Sequence, residues 1–279
     1  MRSRTVFVSL LLLCTATIVY AHELYIKLDN YFLEPNASAS VPILNGTFDV
    51  SENSIARNRV PDISVVSPAG REHIDTTHWI AESDTTFLNF ETGEEGTYVI
   101  GASTRPNDLH LAAADFNEYL EHDGIPDVLA ARTENGELEV DVTEQYSKHV
   151  KAVVQVGDEI TKPKRKWQFW KKQVQLTYMT VLGYPAEIVP LANPYAIAVG
   201  DELQVRCLVD GSPVANQLVV AGQEDGQNAV EMRTDEDGVA RLRLTTAGKW
   251  FVRFINMVPS QAEGVDYESK WATLTFDLR

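Results

Sequence analysis

Apolar and polar residues alternate with a period of two in short runs along almost the whole chain. The runs are residues 23–28, 63–66, 86–90, 97–102, 150–156, 173–181, 202–209, 217–221, 229–233, 239–245, 250–255 and 271–278. Successive side chains of a strand point to opposite faces, so these runs can each bury one face of a β-sheet but not one face of a helix. Gly, Pro, Asn or Asp bounds each run, and these are the residues that turns require. Many short strands separated by turns predict β-sandwiches. The chain has no β-α-β alternation and no G-x-G-x-x-G, P-loop or G-x-S-x-G sequence. Nucleotide-binding and α/β-hydrolase chemistry therefore have no sequence foothold.

The expected fold is mainly β, with two β-sandwich domains. The C-terminal domain is expected to be immunoglobulin- or transthyretin-like, and the first to carry a short helical insertion. A boundary falls where Asn193-Pro194 and then Val199-Gly200-Asp201 read as a linker into a new strand. The expected division is 1–21, 22–190 and 191–279. The insertion is a helix over 112–123, where Phe116, Tyr119 and Leu120 share one face. Asp108 or Asp115 is the expected cap. A second helical turn is expected over 143–149.

The amino terminus reads as a leader. Arg2 and Arg4 precede a short apolar run over 6–20, and Ala21 ends it with a small residue. That run is short for the roughly 20 residues that a membrane span needs, so a cleaved export signal is expected, with no stable span afterwards. Cleavage after Ala21 makes His22 the first mature residue and places the protein in the periplasm or outside the cell. The formal charge is −16, and loss of Arg2 and Arg4 makes it more negative. Such a surface argues against nucleic acid as partner and is compatible with cations. Only Cys207 remains after cleavage. It sits in an alternating run, is expected to be a buried hydrophobe, and cannot form an internal disulfide.

A mature N-terminal histidine offers two nitrogens from one residue. The α-amine has an ordinary pKa of roughly 7.7–8.0, so a metal ion can displace its proton near neutral pH. Amine and imidazole nitrogens suit Cu(II), Ni(II), Co(II) and Zn(II). His122 reads as a solvated helix end. Asp235, Asp237 and Gly238 read as a turn between strands. Residues 162–172 interleave lysine and arginine with Trp167, Phe169 and Trp170. They read as a hairpin with solvated lysines, or else as a contact for an anionic surface or a partner. No set of catalytic residues is expected.

Several blocks resemble the domain-of-unknown-function 4198 family, a bacterial envelope family related to nickel-uptake accessory proteins. They are residues 22–28; Phe116-Asn117-Glu118-Tyr119-Leu120 followed by Asp123-Gly124; Tyr146-Ser147-Lys148-His149-Val150-Lys151; and residues 182–190. A last set runs from Thr234-Asp235 through Gly248-Lys249-Trp250 to residues 271–276. In order, they span nearly the whole mature chain. The resemblance implies a periplasmic β-rich protein with a transition metal (Ni, Co, Cu or Zn) as ligand. It also implies a role accessory to nickel, cobalt or copper uptake, with a membrane transporter or another envelope protein as partner. It adds His110 and His149 to His22 as metal residues, since both begin segments that the family pattern keeps near the core.

Two other readings compete. One is a non-catalytic envelope or adhesion module that binds a protein partner. The other is a copper enzyme in which a second histidine joins His22 in a histidine brace.

Overall fold

The computed structural model describes residues 23–158 and 176–279, apart from the side chains of Thr76 and Asp225. The expected leader, His22 and the basic-aromatic segment 162–172 lie outside the described residues. The chain is mainly β, as the alternation requires, and the described strands form three sheets. A four-stranded sheet has the order Glu23–Ile26, Ser38–Gly46, Thr85–Glu91, Trp79–Glu82. A ten-stranded sheet has the path Val230–Arg233, Leu218–Gly222, Gly248–Pro259, Tyr267–Leu278, Val142–Val156, Gly96–Ser103, Asp62–Ser67, Gly70–His73. Phe32–Leu33 and Asn107–Leu111 also pair with Val142–Val156. The third sheet is built on Glu202–Val209, flanked by Ala186–Pro190, Ser212–Pro213 and Val239–Arg243. No helix among the described residues is long and apolar enough to cross a membrane.

The ten-stranded sheet takes strands from both sides of residue 190. Its central pair, Val142–Val156 and Tyr267–Leu278, is parallel, with Lys148 opposite Trp271 and His149 opposite Ala272. Because side chains alternate, these two neighbouring pairs lie on opposite faces. The Lys148–Trp271 face is covered by helix α1 (Ala113–His122), helix α2 (Pro126–Asn135) and the strand Glu23–Ile26. Leu111, Phe116, Tyr119, Leu120, Ile125 and Val128 pack there with Ile255, Met257 and Trp271. The first strand is fastened to the same face by Thr273 Oγ1, which donates to Leu24 O at 2.9 Å, and by Thr275 Oγ1, which donates to Ile26 O. The strand Ala186–Pro190 lies over the other face, through a buried ion pair between Lys151 and Glu187 at 3.0 Å.

The helix expected at 112–123 is α1, but its start is capped differently. Its backbone cap residue, Ala112, makes no side-chain cap. Asp141 Oδ1 accepts from Ala113 N–H at 2.9 Å, so the cap comes from a distant residue. Helix α2 was not expected. It begins with Pro126 at its first turn and ends at Gly136, whose φ of 72° suits a left-handed C-cap. Its Arg132 is buried and donates to the Glu137 and Val140 carbonyls and to Asn117 Oδ1.

The turn expected at 143–149 is instead strand. Pairing on both sides overrides local preference there: Asn107–Leu111 bonds one edge of this stretch and Tyr267–Leu278 the other. Of the run expected at 173–181, residues 173–175 lie outside the described residues and Thr177–Met179 form a 3₁₀ turn. Cys207 is fully buried, and burial pushes its thiol pKa well up, so it packs as a hydrophobe. Asp235 Oδ1 accepts from the N–H groups of Asp237 and Val239, the turn read from sequence.

Candidate functional site

Among the described residues, a set of buried ionisable groups lies where the strand Glu23–Ile26 meets the end of α1. Glu23 opens the first described strand and is buried although its side chain is ionisable. Arg253 Nη1, on the strand Gly248–Pro259, is 2.6 Å from Glu23 Oε1. The same nitrogen donates to Asp123 O at 3.1 Å. One guanidinium nitrogen therefore joins the start of the first strand to the C-cap of α1. Tyr25 Oη donates to the other oxygen of Glu23. Burial pushes the Glu23 carboxyl up to about 7, with Arg253 pulling it down and Asp123 pushing it further up.

Asp123 is buried, and its carboxyl is raised by burial and held back by the hydrogen bond to His122. Its Oδ1 lies 3.0 Å from His122 Nδ1. The His122 side chain is 61% exposed and that of Asp123 only 7%. Beneath them, Lys148 lies over the rings of Trp271 (5.0 Å) and Tyr146 (5.4 Å). Burial lowers its amine to about 8, with Glu23, Asp123 and Glu144 opposing that shift. The Trp271 ring stacks on Tyr119 with centroids 6.0 Å apart. Glu144 accepts from Tyr119 Oη at 3.1 Å and from Ser269, and burial raises its pKa. Groups perturbed by burial and by specific partners cluster at functional sites more often than elsewhere.

Of the residues chosen from sequence, the structure describes His110 and His149, and places them apart. His149 is buried on the opposite face of the sheet from Lys148. Its Nδ1 is 2.9 Å from Ser103 Oγ and its Nε2 is 3.0 Å from Ser147 Oγ, so both ring nitrogens have hydroxyl partners. Burial drives its pKa down to about 3. His110 is exposed, opposite Thr143, with Nδ1 3.2 Å from Thr143 Oγ1. Thr143 and His149 are six residues apart on one strand, so His110 and His149 are separated by about 20 Å. His22 lies outside the described residues, one peptide bond before Glu23 in sequence.

The choice from sequence did not include Glu23, Asp123 or Arg253, and it read His122 as a solvated helix end. The one local signal was a charged residue opening an apolar strand. Among the described residues, no three His, Cys, Asp or Glu side chains are arranged to hold a metal ion. The cluster offers one imidazole and carboxylates, a donor set that suits a divalent transition ion only with further nitrogen ligands.

A second polar cluster brings Asp62, Ser64 and His73 together. His73 Nδ1 is 2.6 Å from Asp62 Oδ1 and 3.4 Å from Ser64 Oγ. Both contacts use one ring nitrogen, so this imidazole does not bridge a carboxylate to a hydroxyl as in a catalytic triad. Asp62 is further occupied by Tyr184 Oη at 2.6 Å and Arg71 at 3.1 Å.

A family model described as "Domain of unknown function (DUF4198)" matches residues 19–257. No curated protein matches the chain. Among solved structures, the chain is similar to the D0-D1 domain of intimin at 14% identity, covering 91% of this chain and 97% of that one, with a TM-score of 0.22. It is similar to Salmonella alpha-2-macroglobulin reacted with methylamine at 10% identity, covering 91% of this chain and 15% of that one, with a TM-score of 0.25. It is also similar to a two fibronectin type-III domain segment from chicken tenascin at 11% identity, covering 92% and 98%, with a TM-score of 0.22. Likenesses at this level carry no functional information.

Proposed function

The chain belongs to the DUF4198 family, and on that premise we propose that it is an exported periplasmic protein that binds a transition-metal ion at its processed amino terminus. One observation carries the reading: Arg253 Nη1 touches both Glu23 and Asp123. The first strand therefore begins beside an imidazole–carboxylate pair. Cleavage after Ala21 places a new α-amine and the His22 imidazole one residue before Glu23. These two nitrogens chelate Cu(II), Ni(II), Co(II) or Zn(II), ions that favour imidazole and amine donors. The nearby carboxylates balance the charge of the ion. The reading extends to a role accessory to nickel, cobalt or copper uptake with a membrane transporter as partner, as the family resemblance implies.

The test is calorimetry on protein beginning at His22. The unaltered protein binds at least one of the four ions more tightly than the H22A variant does. If all four ions bind both proteins equally, the proposal fails.

A further inference from the structure

We infer that Arg59 and Arg105 form a binding site for the carboxylate of a small organic acid, with the Tyr146 hydroxyl as a third donor. The site is separate from the amino terminus and does not depend on the reading above.

The chain has a formal charge of −16, so carboxylates are plentiful partners for its arginines. Arg71, Arg233, Arg241 and Arg253 each face one. Arg59 and Arg105 face none among the described residues. Backbone carbonyls hold them instead. Arg59 Nη2 donates to Arg105 O at 3.2 Å, and Arg105 Nε donates to Asn58 O at 3.2 Å. The two backbones are joined as well, since Arg105 N–H donates to Arg59 O at 2.7 Å. Carbonyls fix the two guanidinium forks near one another without neutralising them. Most of their N–H groups stay unused. Arg59 Nε is buried and has no hydrogen-bond partner among the described residues.

Tyr146 points to the same chemistry. Its Oη lies 3.5 Å from Arg59 Nη1 and 3.4 Å from Asn107 Nδ2, and it accepts from both. Its own proton is then left for an acceptor that no described residue supplies. The Arg59 guanidinium and the Lys148 amine each lie 5.4 Å from the Tyr146 ring centroid, which adds positive charge around the ring. What the site offers is hydrogens backed by positive charge. An ionised carboxylate only accepts, and guanidinium forks match it bidentately. A second negative charge on the ligand is disfavoured by the net charge of the chain and by Asp108, which follows Asn107 and accepts from Gln145 at 2.8 Å. A singly charged carboxylate therefore fits better than a phosphate dianion.

The experiment titrates propionate, and separately inorganic phosphate at pH 8, into protein beginning at His22. Arginine Nε–Hε signals are followed by NMR. Constant ionic strength keeps general screening the same throughout. Propionate is expected to shift the Arg59 and Arg105 signals to saturation, and phosphate to bind more weakly. Arg105 is exposed, so its replacement leaves the fold intact, and a thermal melt checks this. Arg105→Gln is expected to weaken propionate binding by at least about tenfold, the scale of losing a hydrogen bond to a charged group. Arg105→Lys keeps the charge but loses the fork, and it is also expected to bind more weakly. Arg243 is the control, being exposed and without a carboxylate partner among the described residues. Arg243→Gln removes the same charge and is expected to bind propionate like the unaltered protein.

The absence of a saturable shift with propionate would overturn the inference, as would Arg105→Gln binding like the unaltered protein. An equal loss in Arg243→Gln would overturn it too, because binding would then follow net charge alone. Undiminished binding in Arg105→Lys would contradict a site built on the guanidinium fork. Phosphate binding more tightly than propionate would contradict the choice of a carboxylate. None of these outcomes bears on metal binding at the amino terminus, so the two readings fail separately.

Discussion

Arg253 and Glu23 are 2.6 Å apart, joining the strand Gly248–Pro259 to the first residue of the strand Glu23–Ile26. Removing the guanidinium leaves a carboxylate buried without its cation, which costs about 3 kcal/mol when the carboxylate is ionised. Protonation relieves that cost, and the Glu23 carboxyl already sits at about 7. Arg253→Met is therefore expected to lose about 3 kcal/mol at pH 8 and clearly less at pH 6, read from urea midpoints. An equal loss at both values would show that the carboxylate is not what Arg253 compensates.

Lys151 and Glu187 are a buried pair at 3.0 Å, with side chains 2% and 1% exposed. Lys151→Met is expected to destabilise by about 3–5 kcal/mol, because it leaves Glu187 charged and buried. Many buried pairs can be replaced together by apolar residues at little cost, but here Glu187 also accepts from the N–H groups of Leu182, Gly183 and Tyr184. The double variant Lys151→Met/Glu187→Leu strands those donors and is expected to be no more stable than Lys151→Met. A urea titration of both variants decides it, and recovery in the double variant would contradict the anchoring role of Glu187.

Gly101 sits where residues 182–184 press on the strand Gly96–Ser103. A Cβ there would lie 2.3 Å from Leu182 Cδ1 and 2.9 Å from the Tyr184 hydroxyl. Gly101→Ala is expected to cost about 1–3 kcal/mol through overpacking, although β-strands ordinarily tolerate alanine better than glycine. A thermal melt that shows stabilisation would mean that the loop is not held this tightly.

His149 gives the pH dependence of stability a definite sign. Its folded pKa is about 3, against an ordinary value of 6.5. Between those values the unfolded chain holds a proton that the folded chain does not, so stability rises with pH. The contribution is complete above about pH 6.5 and is lost as pH falls toward 3, at up to ~1.4 kcal/mol per pH unit. Glu23 acts oppositely: its raised pKa favours the folded state below pH 4.5, and that gain is lost as pH rises through about 7. Comparing His149→Gln with the unaltered protein cancels the Glu23 effect. The variant is expected to be least stable relative to the unaltered protein at pH 7.5 and to close the gap by pH 4. A constant gap across urea titrations from pH 4 to 7.5 would be the contrary result.

The strands were the most legible part of the sequence, because alternation is a local signal that one buried face imposes. Gly96–Ser103 and Glu202–Val209 were read from it almost to the residue. The first half of Val142–Val156 was not, since Glu144 and Lys148 put charge where a buried strand face is ordinarily apolar. Their burial depends on Tyr119, Ser269, Trp271 and Tyr146, partners that only the fold supplies. Helix α2 escaped for a similar reason: its buried residues are Val128 and Arg132, too few apolar positions to mark a face. His122 was correctly read as exposed. Its interest arises from Asp123, Arg253 and Glu23, and no local pattern announces contacts between residues so far apart in sequence.

The most direct test of a metal site created by processing compares two proteins that share every described residue. One begins at His22, and the other retains residues 16–21 ahead of it. The second keeps the His22 imidazole, but its free amine is six residues away. Copper and nickel affinities are expected to be at least about tenfold weaker in the extended protein, a difference of roughly 1.4 kcal/mol or more by calorimetry. Equal affinities in the two proteins would contradict a site that depends on the mature α-amine.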